Sequence, residues 1–120
     1  MDYDQLLDQA KRALVGLDVE TLVRLYAPEC QLLDVPSGAK MTTESELKAY
    51  YDQLFAMQDI AFTDVSFFAA GDQAAGEWTW HGRSPASGKA FAIRGASLFK
   101  LGEAGILEEC LFYDPRSVQE

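Results

Sequence analysis

Asp34 is the acidic residue of this sequence best placed for acid–base chemistry. It closes a short apolar run and stands two residues ahead of Pro36. The apolar run draws the chain into the core, whereas Pro36 must return it to the surface. We therefore predict that the Asp34 carboxylate lies in the wall of a pocket, partly removed from water, where it can accept a proton. The alternative is a loop carboxylate that caps a turn beside Ser37.

Trp78 and Trp80 are two residues apart, so both side chains point to the same side of a regular strand, while Glu77, Thr79 and His81 point to the other. Facing inward, the two tryptophans would form an aromatic wall for a flat apolar ligand. Facing outward, they would lie in a dimer interface, where aromatic residues are enriched. We favour the pocket.

Other polar side chains are weaker candidates for a functional site. Histidine titrates nearest neutral pH, and His81 is the only histidine of the chain, but its place at a strand end beside glycine is also typical of a solvated residue. Ser97 could donate a hydrogen bond to a ligand carbonyl, or simply leave space in an apolar pocket. Arg83 and Arg94 could bind a ligand anion or be solvated strand charges, and we interpret Asp114 as structural.

Composition limits the classes of function. The 120 residues, 48% hydrophobic and 24% charged, predict one globular domain spanning 1–120. Ten Lys and Arg against 19 Asp and Glu give a net charge of -9, which disfavours nucleic acid and anionic membrane surfaces as partners.

Cysteine and histidine usage argues against a metal centre. Cys30 and Cys110 have no neighbouring Cys or His at ligand spacing, so zinc would lack ligands, and we interpret both as core thiols of a protein in a reducing compartment. The acidic amino terminus lacks an uninterrupted apolar stretch. It is therefore not expected to be a signal peptide or membrane span, and a cytoplasmic location follows.

Three helices are predicted in the first half of the chain. Apolar residues recur at three- and four-residue intervals from Tyr3 to Val15, which indicates the first helix. Asp18 can cap a second helix that continues through Ala27 and is closed by Pro28. The third begins at Thr43, whose spacing to Glu46 is typical of a capping box.

Strands follow. The segment Cys30 to Val35 predicts one short strand between the second and third helices, and beyond residue 59 the chain becomes rich in Phe, Trp, Val and Ile. The four later strands are predicted at Ile60 to Ala70, Gln73 to Gly82, Lys89 to Leu101 and Ile106 to Asp114. Their tight connections indicate an antiparallel meander, and hence an α+β fold whose helices cover one face of a curled sheet.

This order of elements resembles the nuclear transport factor 2-like superfamily, which includes ketosteroid isomerases, SnoaL-like polyketide cyclases and limonene-epoxide hydrolases. The stretch DVETLVRLYAPECQLLDVP (18–36) is similar to the helix–strand–Asp segment of the isomerases, and SGKAFAIRGASLFKLGEAGILEECLFYD (87–114) is similar to the last strands of SnoaL-like proteins. The resemblance implies a cone-shaped, cystatin-like fold, in which a curled antiparallel sheet and three N-terminal helices enclose an apolar pocket.

The resemblance also assigns roles to residues. Asp34 takes the place of the general base of the isomerases, and Tyr51 that of a tyrosine that supports their oxyanion hole. For the cyclases, which use an acidic residue in the pocket, Asp34 and Asp114 are candidates.

Several positions depart from the characterised enzymes of the superfamily. The two oxyanion donors of the isomerases correspond to Ala10 and Ser97, so we expect poor turnover of a 3-keto-5-ene steroid, because losing one such donor typically slows a reaction roughly a hundredfold or more. Trp78 and Trp80 replace the Arg and Asp of the epoxide hydrolases, which argues against that activity.

We therefore expect a SnoaL-like, cofactor-independent isomerase, cyclase or lyase that uses Asp34 as general base on a small apolar carbonyl compound. The residues expected to contact the substrate are Tyr51, Trp78, Trp80 and Ser97. The alternative is a non-catalytic ligand-binding or dimerisation module, which a deep pocket end lined only by Ser97 and apolar groups would favour. We also expect a homodimer formed through the outer face of the sheet, which the helices leave uncovered.

Overall fold

Residues 2–119, which the computed structural model describes, form four helices and six strands. In chain order these are α1 Asp4–Val15, α2 Val19–Arg24, β1 Tyr26–Asp34, β2 Ala39–Met41, α3 Glu44–Phe55, β3 Ala61–Ala70, β4 Gln73–Arg83, β5 Ala90–Gly102, β6 Gly105–Tyr113 and α4 Arg116–Gln119. The first and third helices and the four later strands lie where the sequence predicts them, to within one or two residues at each end.

The six strands form a single curled, unclosed sheet in the order β2-β1-β6-β5-β4-β3. Strands β3 to β6 are the predicted antiparallel meander. Strand β1 joins the sheet by pairing with β6 in parallel, so the sheet is mixed at that junction, whereas a wholly antiparallel sheet was predicted. The parallel pairing matters for function because it brings the end of β1 alongside the end of β6.

Side chains cap the helices as expected. The Thr21 amide donates to Asp18 Oδ1 at 3.1 Å, which begins α2. The Glu46 amide donates to Thr43 Oγ1 at 3.2 Å, which begins α3. The Glu46 carboxylate reaches back to the amide of Thr42 at 3.0 Å, one residue earlier than in a standard capping box.

The predicted end of the second helix is wrong. Helix α2 stops at Arg24, and the chain from Tyr26 is already strand β1, so Pro28 lies inside a strand. A proline has no N–H for a strand ladder. The register between β1 and β6 is interrupted between Tyr26 and Gln31, and Pro28 occupies this irregular stretch. Two short elements, β2 and α4, were not predicted.

The helices α1 to α3 cover the inner, concave face of the sheet. Close packing on that face requires a glycine at position 95, since a Cβ there would lie 2.2 Å from the ring of Trp78 on the neighbouring strand. The outer face carries no helix from the described residues. Both cysteines are free and half-buried, and Cys30 packs against the hydrophobic core. No helix in the described range is long and apolar enough to cross a bilayer.

Candidate functional site

A cavity of about 320 Å³ lies between the inner face of the sheet and the helices. This volume is at the lower end of the range for small-molecule sites. Most of its wall is aliphatic or aromatic. All five residues that the sequence singled out for substrate contact or catalysis line it: Asp34, Tyr51, Trp78, Trp80 and Ser97. Ala10, which stands where the isomerases have a donor, also lines the cavity.

The two tryptophans face this cavity and are almost completely buried. The indole N–H of Trp78 donates to Ser97 Oγ at 3.0 Å. The ring of Tyr113 contacts both indoles, with centroid separations of 6.2 Å to Trp78 and 5.5 Å to Trp80. The tryptophans therefore form the predicted aromatic wall rather than part of the outer face.

Asp34, only 5% exposed, is the centre of the first polar group in the cavity wall. The Tyr50 hydroxyl donates to its Oδ2 at 2.9 Å, and the Tyr113 hydroxyl donates to Oδ1 at 2.8 Å and to Oδ2 at 2.9 Å. The Ser37 amide donates to Oδ1 at 3.3 Å. We call Asp34, Ser37, Tyr50 and Tyr113 the Asp34 cluster. Both interpretations of Asp34 therefore hold geometrically, because it caps the turn and lines the pocket.

The tyrosines of this cluster stay neutral at physiological pH. Burial, followed by the negative charge of Asp34, raises the pKa of the Tyr50 hydroxyl far above its usual value. Burial and the hydrogen bond to Asp34 also raise the pKa of Tyr113. Because both hydroxyls keep their protons, both remain donors to the carboxylate, which is left as the acceptor of the cluster.

Glu109, only 7% exposed, is the centre of a second polar group. It lies on β6, lines the same cavity and accepts a short hydrogen bond from the Tyr26 hydroxyl. That hydroxyl lies 2.6 Å from the hydroxyl of Tyr51. Burial raises the pKa of Glu109 to about 7, and hydrogen bonds from Tyr26 and Ser97 partly offset the shift. We call Glu109, Tyr26, Tyr51 and Ser97 the Glu109 cluster.

Glu109 and the tyrosines other than Tyr51 were not predicted as site residues. A signal for Glu109 was present. Glu109, Leu111 and Tyr113 occupy every second position of β6, so their side chains lie on the same face of the strand. Tyr26 was assigned to a helix, where its neighbours in space are different from those of a strand residue. Tyr50 follows the third helix's predicted start by seven residues, and its contact with Asp34 depends on tertiary packing.

The remaining candidates lie outside the cavity. His81 shares a 2.7 Å hydrogen bond with Thr63 on the other side of β4 from the tryptophans. Arg83 and Arg94 form ion pairs with acidic neighbours at 2.5 and 3.0 Å, and Asp114 is exposed and binds Arg116. Within residues 2–119, no three His, Cys, Asp or Glu side chains group closely enough to hold a metal ion.

The arrangement supports proton transfer. Two carboxyl groups line one mostly apolar cavity, one surrounded by three donors and the other with a pKa near neutrality. Carboxyl groups whose environments differ in this way can divide the roles of base and acid. Ser97, Tyr51 and Tyr113 also line the cavity, so its wall is more polar than that of a plain apolar binding pocket.

Comparisons with known proteins agree with this architecture. A family model described as a SnoaL-like domain matches residues 8–109. No curated protein matches the sequence. Among solved structures, a hypothetical protein with a ketosteroid isomerase-like fold from Catenulispora acidiphila, in complex with trimethylamine, has a TM-score of 0.83 and 22% identity over 96% of this chain and 89% of that one.

Two further structures are similar. A proposed polyketide cyclase from Pseudomonas putida has a TM-score of 0.83 and 17% identity, covering 98% of this chain and 95% of its own. An NTF2-like protein from Burkholderia thailandensis has a TM-score of 0.82 and 18% identity, covering 95% and 92% respectively. At these identities the likeness shows the fold alone.

Proposed function

The chain belongs to the SnoaL-like domain family, and from that premise we propose that it is a cofactor-independent enzyme that moves protons on a small, largely apolar carbonyl compound. Asp34 acts as the general base and Glu109 as the general acid. The observation that carries this proposal is the presence of two buried carboxyl groups, in unlike surroundings, in the wall of one apolar cavity.

The proposed reaction begins at the carbon next to the substrate carbonyl. Asp34 takes a proton from this carbon, and the electron pair of the broken C–H bond forms a C=C bond. The carbonyl oxygen meanwhile receives the proton of neutral Glu109, so the product of this step is an enol. In a substrate whose enol is conjugated to a second C=C bond, Asp34 returns its proton to the far carbon of the dienol while the Glu109 carboxylate takes back the O–H proton, which completes an isomerisation. Attack of the enol carbon on a second carbonyl of the same molecule, with the enol O–H proton returning to Glu109 and the proton on Asp34 passing to the new alkoxide, completes a cyclisation.

The environment of each carboxyl group suits its role. The hydroxyls of Tyr50 and Tyr113 donate to the Asp34 carboxylate and hold it in the cavity wall, where its oxygens are acceptors. Burial keeps Glu109 protonated in a large fraction of molecules up to about pH 7. A carboxylic acid kept neutral in this way can stabilise the negative charge that develops on a carbonyl oxygen. Glu109 thus supplies the strong donor that Ala10 and Ser97 cannot.

The first experiment follows proton abstraction without knowledge of the natural substrate. The protein is incubated in D₂O with 1-tetralone, a bicyclic ketone, and exchange of the hydrogens next to the carbonyl is followed by NMR. We expect wild-type protein to accelerate exchange and Asp34→Asn to lose at least about a hundredfold of the acceleration. Asp114→Asn, an exposed aspartate outside the cavity, is the matched control and should exchange normally.

The alternative, a non-catalytic binding module, makes a different prediction in the same experiment. A binding protein would shift the 1-tetralone resonances without exchanging its hydrogens, and Asp34→Asn would change affinity alone. Exchange that is equally fast in wild type and Asp34→Asn would remove Asp34 from the proposed mechanism.

We also propose that two copies of the chain pair through the outer face of the sheet. Register neighbours across four strands form an apolar row on this face: Phe68, Ala75, Leu98 and Cys110. Phe68 is 64% exposed and Leu98 is 53% exposed. Large apolar side chains that are grouped in this way are typical of an interface. A second copy presents the same row, so a twofold arrangement covers both rows at once.

The association is tested by sedimentation at micromolar concentration. We expect wild type to sediment as a dimer and Leu98→Lys as a monomer. Val15→Lys changes an equally exposed apolar residue of α1 and should leave the dimer intact. Wild-type protein that sediments only as a monomer would contradict the proposal.

A further inference from the structure

Most hydrogen-bond donors in the cavity wall already have a protein acceptor. Tyr50 and Tyr113 donate to Asp34. The Trp78 indole donates to Ser97, and Tyr51 bonds to Tyr26. These groups build the wall, and using any of them to bind a ligand requires breaking a bond within the protein.

Trp80 is different. Its side chain is buried and lines the cavity, yet its indole Nε1 has no hydrogen-bond partner within the described residues. Buried donors are nearly always paired, because leaving one unpaired forfeits the hydrogen bond it makes to water in the unfolded chain. An unpaired N–H on a ring that lines a proposed ligand site therefore requires an explanation.

Two aromatic rings pack against Trp80, and one of them also contacts the proposed base. Phe91 and Tyr113 meet it nearly at right angles, with centroid separations of 5.0 and 5.5 Å. The hydroxyl of that same Tyr113 donates to Asp34. Tyr113 therefore contacts both the Trp80 ring and the Asp34 carboxylate.

We propose that the indole N–H of Trp80 donates to an acceptor oxygen of the ligand and so selects flat apolar molecules that carry a carbonyl or similar oxygen. The inference deepens the proposed function and rests on it in taking the cavity as the ligand site. Trp80 then fixes which end of the molecule faces Asp34. In this role it is a binding and orienting residue, and the proton transfer itself is left to the carboxyl groups.

The test uses two probes that differ in one oxygen, 1-tetralone and its hydrocarbon tetralin. The chain has only two tryptophans, so a ¹⁵N-edited NMR spectrum has two indole signals, which Trp78→Phe and Trp80→Phe assign. We expect 1-tetralone to move the Trp80 N–H proton downfield, as a new hydrogen bond does, and tetralin to leave it nearly unmoved. The Trp78 signal should change little with either probe because its N–H is bonded to Ser97.

Affinity provides the second readout. Wild type should bind 1-tetralone more tightly than tetralin, and Trp80→Phe should reduce this preference about tenfold, the size of one ordinary hydrogen bond. Trp78→Phe removes a similar ring from the same wall and should keep the preference. Should Trp80→Phe fail to fold, benzothienylalanine at position 80 replaces the N–H by sulfur while keeping the ring size.

The outcomes separate this inference from the proposed function. If both probes bind wild type equally, or the Trp80 signal ignores the ketone because its N–H rests on an aromatic face, the inference is wrong and the proton-transfer proposal stands. If the ketone binds through Trp80 without hydrogen exchange, the inference stands and the proposed catalysis falls. If neither probe binds, the cavity does not accept this class of molecule and both fall.

Discussion

Asp34 and Glu109 line the same cavity, and tyrosine hydroxyls contact both, but their surroundings differ in the balance between burial and hydrogen bonding. Asp34 receives two tyrosine hydroxyls and a backbone amide. Glu109, which is buried to a similar extent, receives Tyr26 and Ser97, and burial raises its pKa to about 7. In the proposed mechanism, the same types of partner therefore accompany a base in one cluster and an acid in the other.

Helix α3 contributes one tyrosine to each cluster. Tyr50 and Tyr51 are consecutive on α3, and their side chains leave the helix about 100° apart, so Tyr50 reaches Asp34 while Tyr51 reaches Tyr26. Their rings pack edge to face with centroids 5.3 Å apart. A change in the position of α3 therefore alters both carboxyl groups together, which is useful if acid and base must act on one substrate.

The largest effect that distinguishes the two carboxyl groups should appear in the pH profile of hydrogen exchange. The acid must be protonated, so the wild-type rate should fall as pH rises through about 7, where Glu109 loses its proton. Glu109→Gln keeps the shape but cannot transfer a proton, so it should lower the rate about a hundredfold and remove this fall. Rates of 1-tetralone exchange in wild type and Glu109→Gln between pH 5.5 and 9 measure the loss of rate and the loss of the fall near pH 7. A fall near pH 7 that persists in Glu109→Gln would assign it to another group.

Folding stability should show a smaller effect of the same burial. Glu109 has a higher pKa in the folded state, about 7, than its ordinary value of 4.5. The folded protein therefore binds more protons between these values, and stability is lost as pH rises through this window. Relative to Glu109→Gln, we expect wild type to lose on the order of 3 kcal/mol of unfolding free energy between pH 4.5 and 8. Urea denaturation of both proteins measures this.

The informative quantity is the difference in unfolding free energy between wild type and Glu109→Gln, because every other carboxylate contributes equally to both proteins. Parallel curves of stability against pH would mean that Glu109 is ionised in the folded protein at neutral pH. The Asp34 and Glu109 clusters would then be alike, and the assignment of acid and base would lose its physical basis.

The sequence predicted most of the fold because local signals and tertiary contacts agree there. The caps Asp18 and Thr43 fix two helix starts, and the aromatic runs after residue 59 fix four strands. The failure at Pro28 has a specific cause. Proline usually ends a helix, and nothing in the sequence indicates that this proline falls in a gap of the β1–β6 register.

Only those residues of the candidate site that local sequence patterns indicate could be predicted. Asp34, Trp78 and Trp80 lie on single elements whose alternation or turn chemistry can be recognised locally. The partners of Asp34 come from α3 and β6, and Tyr26 meets a residue 83 positions away. Such contacts follow from strand pairing rather than local pattern. Tyr26 could not be placed once its strand had been taken for the end of a helix.

The smallest expected effect concerns the hydrogen bond from the Tyr26 hydroxyl to Glu109. The Tyr26 hydroxyl lowers the pKa of Glu109 by donating to its charged form. Tyr26→Phe should therefore raise the pKa of Glu109 and move the fall in exchange rate to higher pH by about one unit, the scale of one hydrogen bond to a charged group. Tyr113→Phe removes a donor of Asp34 instead and should leave the position of this fall unchanged.

An unchanged pH profile in Tyr26→Phe could be caused by Tyr51. Its hydroxyl is bonded to that of Tyr26, so in Tyr26→Phe it can rotate toward Glu109 and replace the lost donor, which would leave the pH profile in place. The double variant Tyr26→Phe/Tyr51→Phe removes both hydroxyls and should produce the shift that the single variant then lacks. If the double variant also leaves the profile where wild type has it, the tyrosine pair does not control the protonation of Glu109. Burial alone would then explain how Glu109 differs from Asp34.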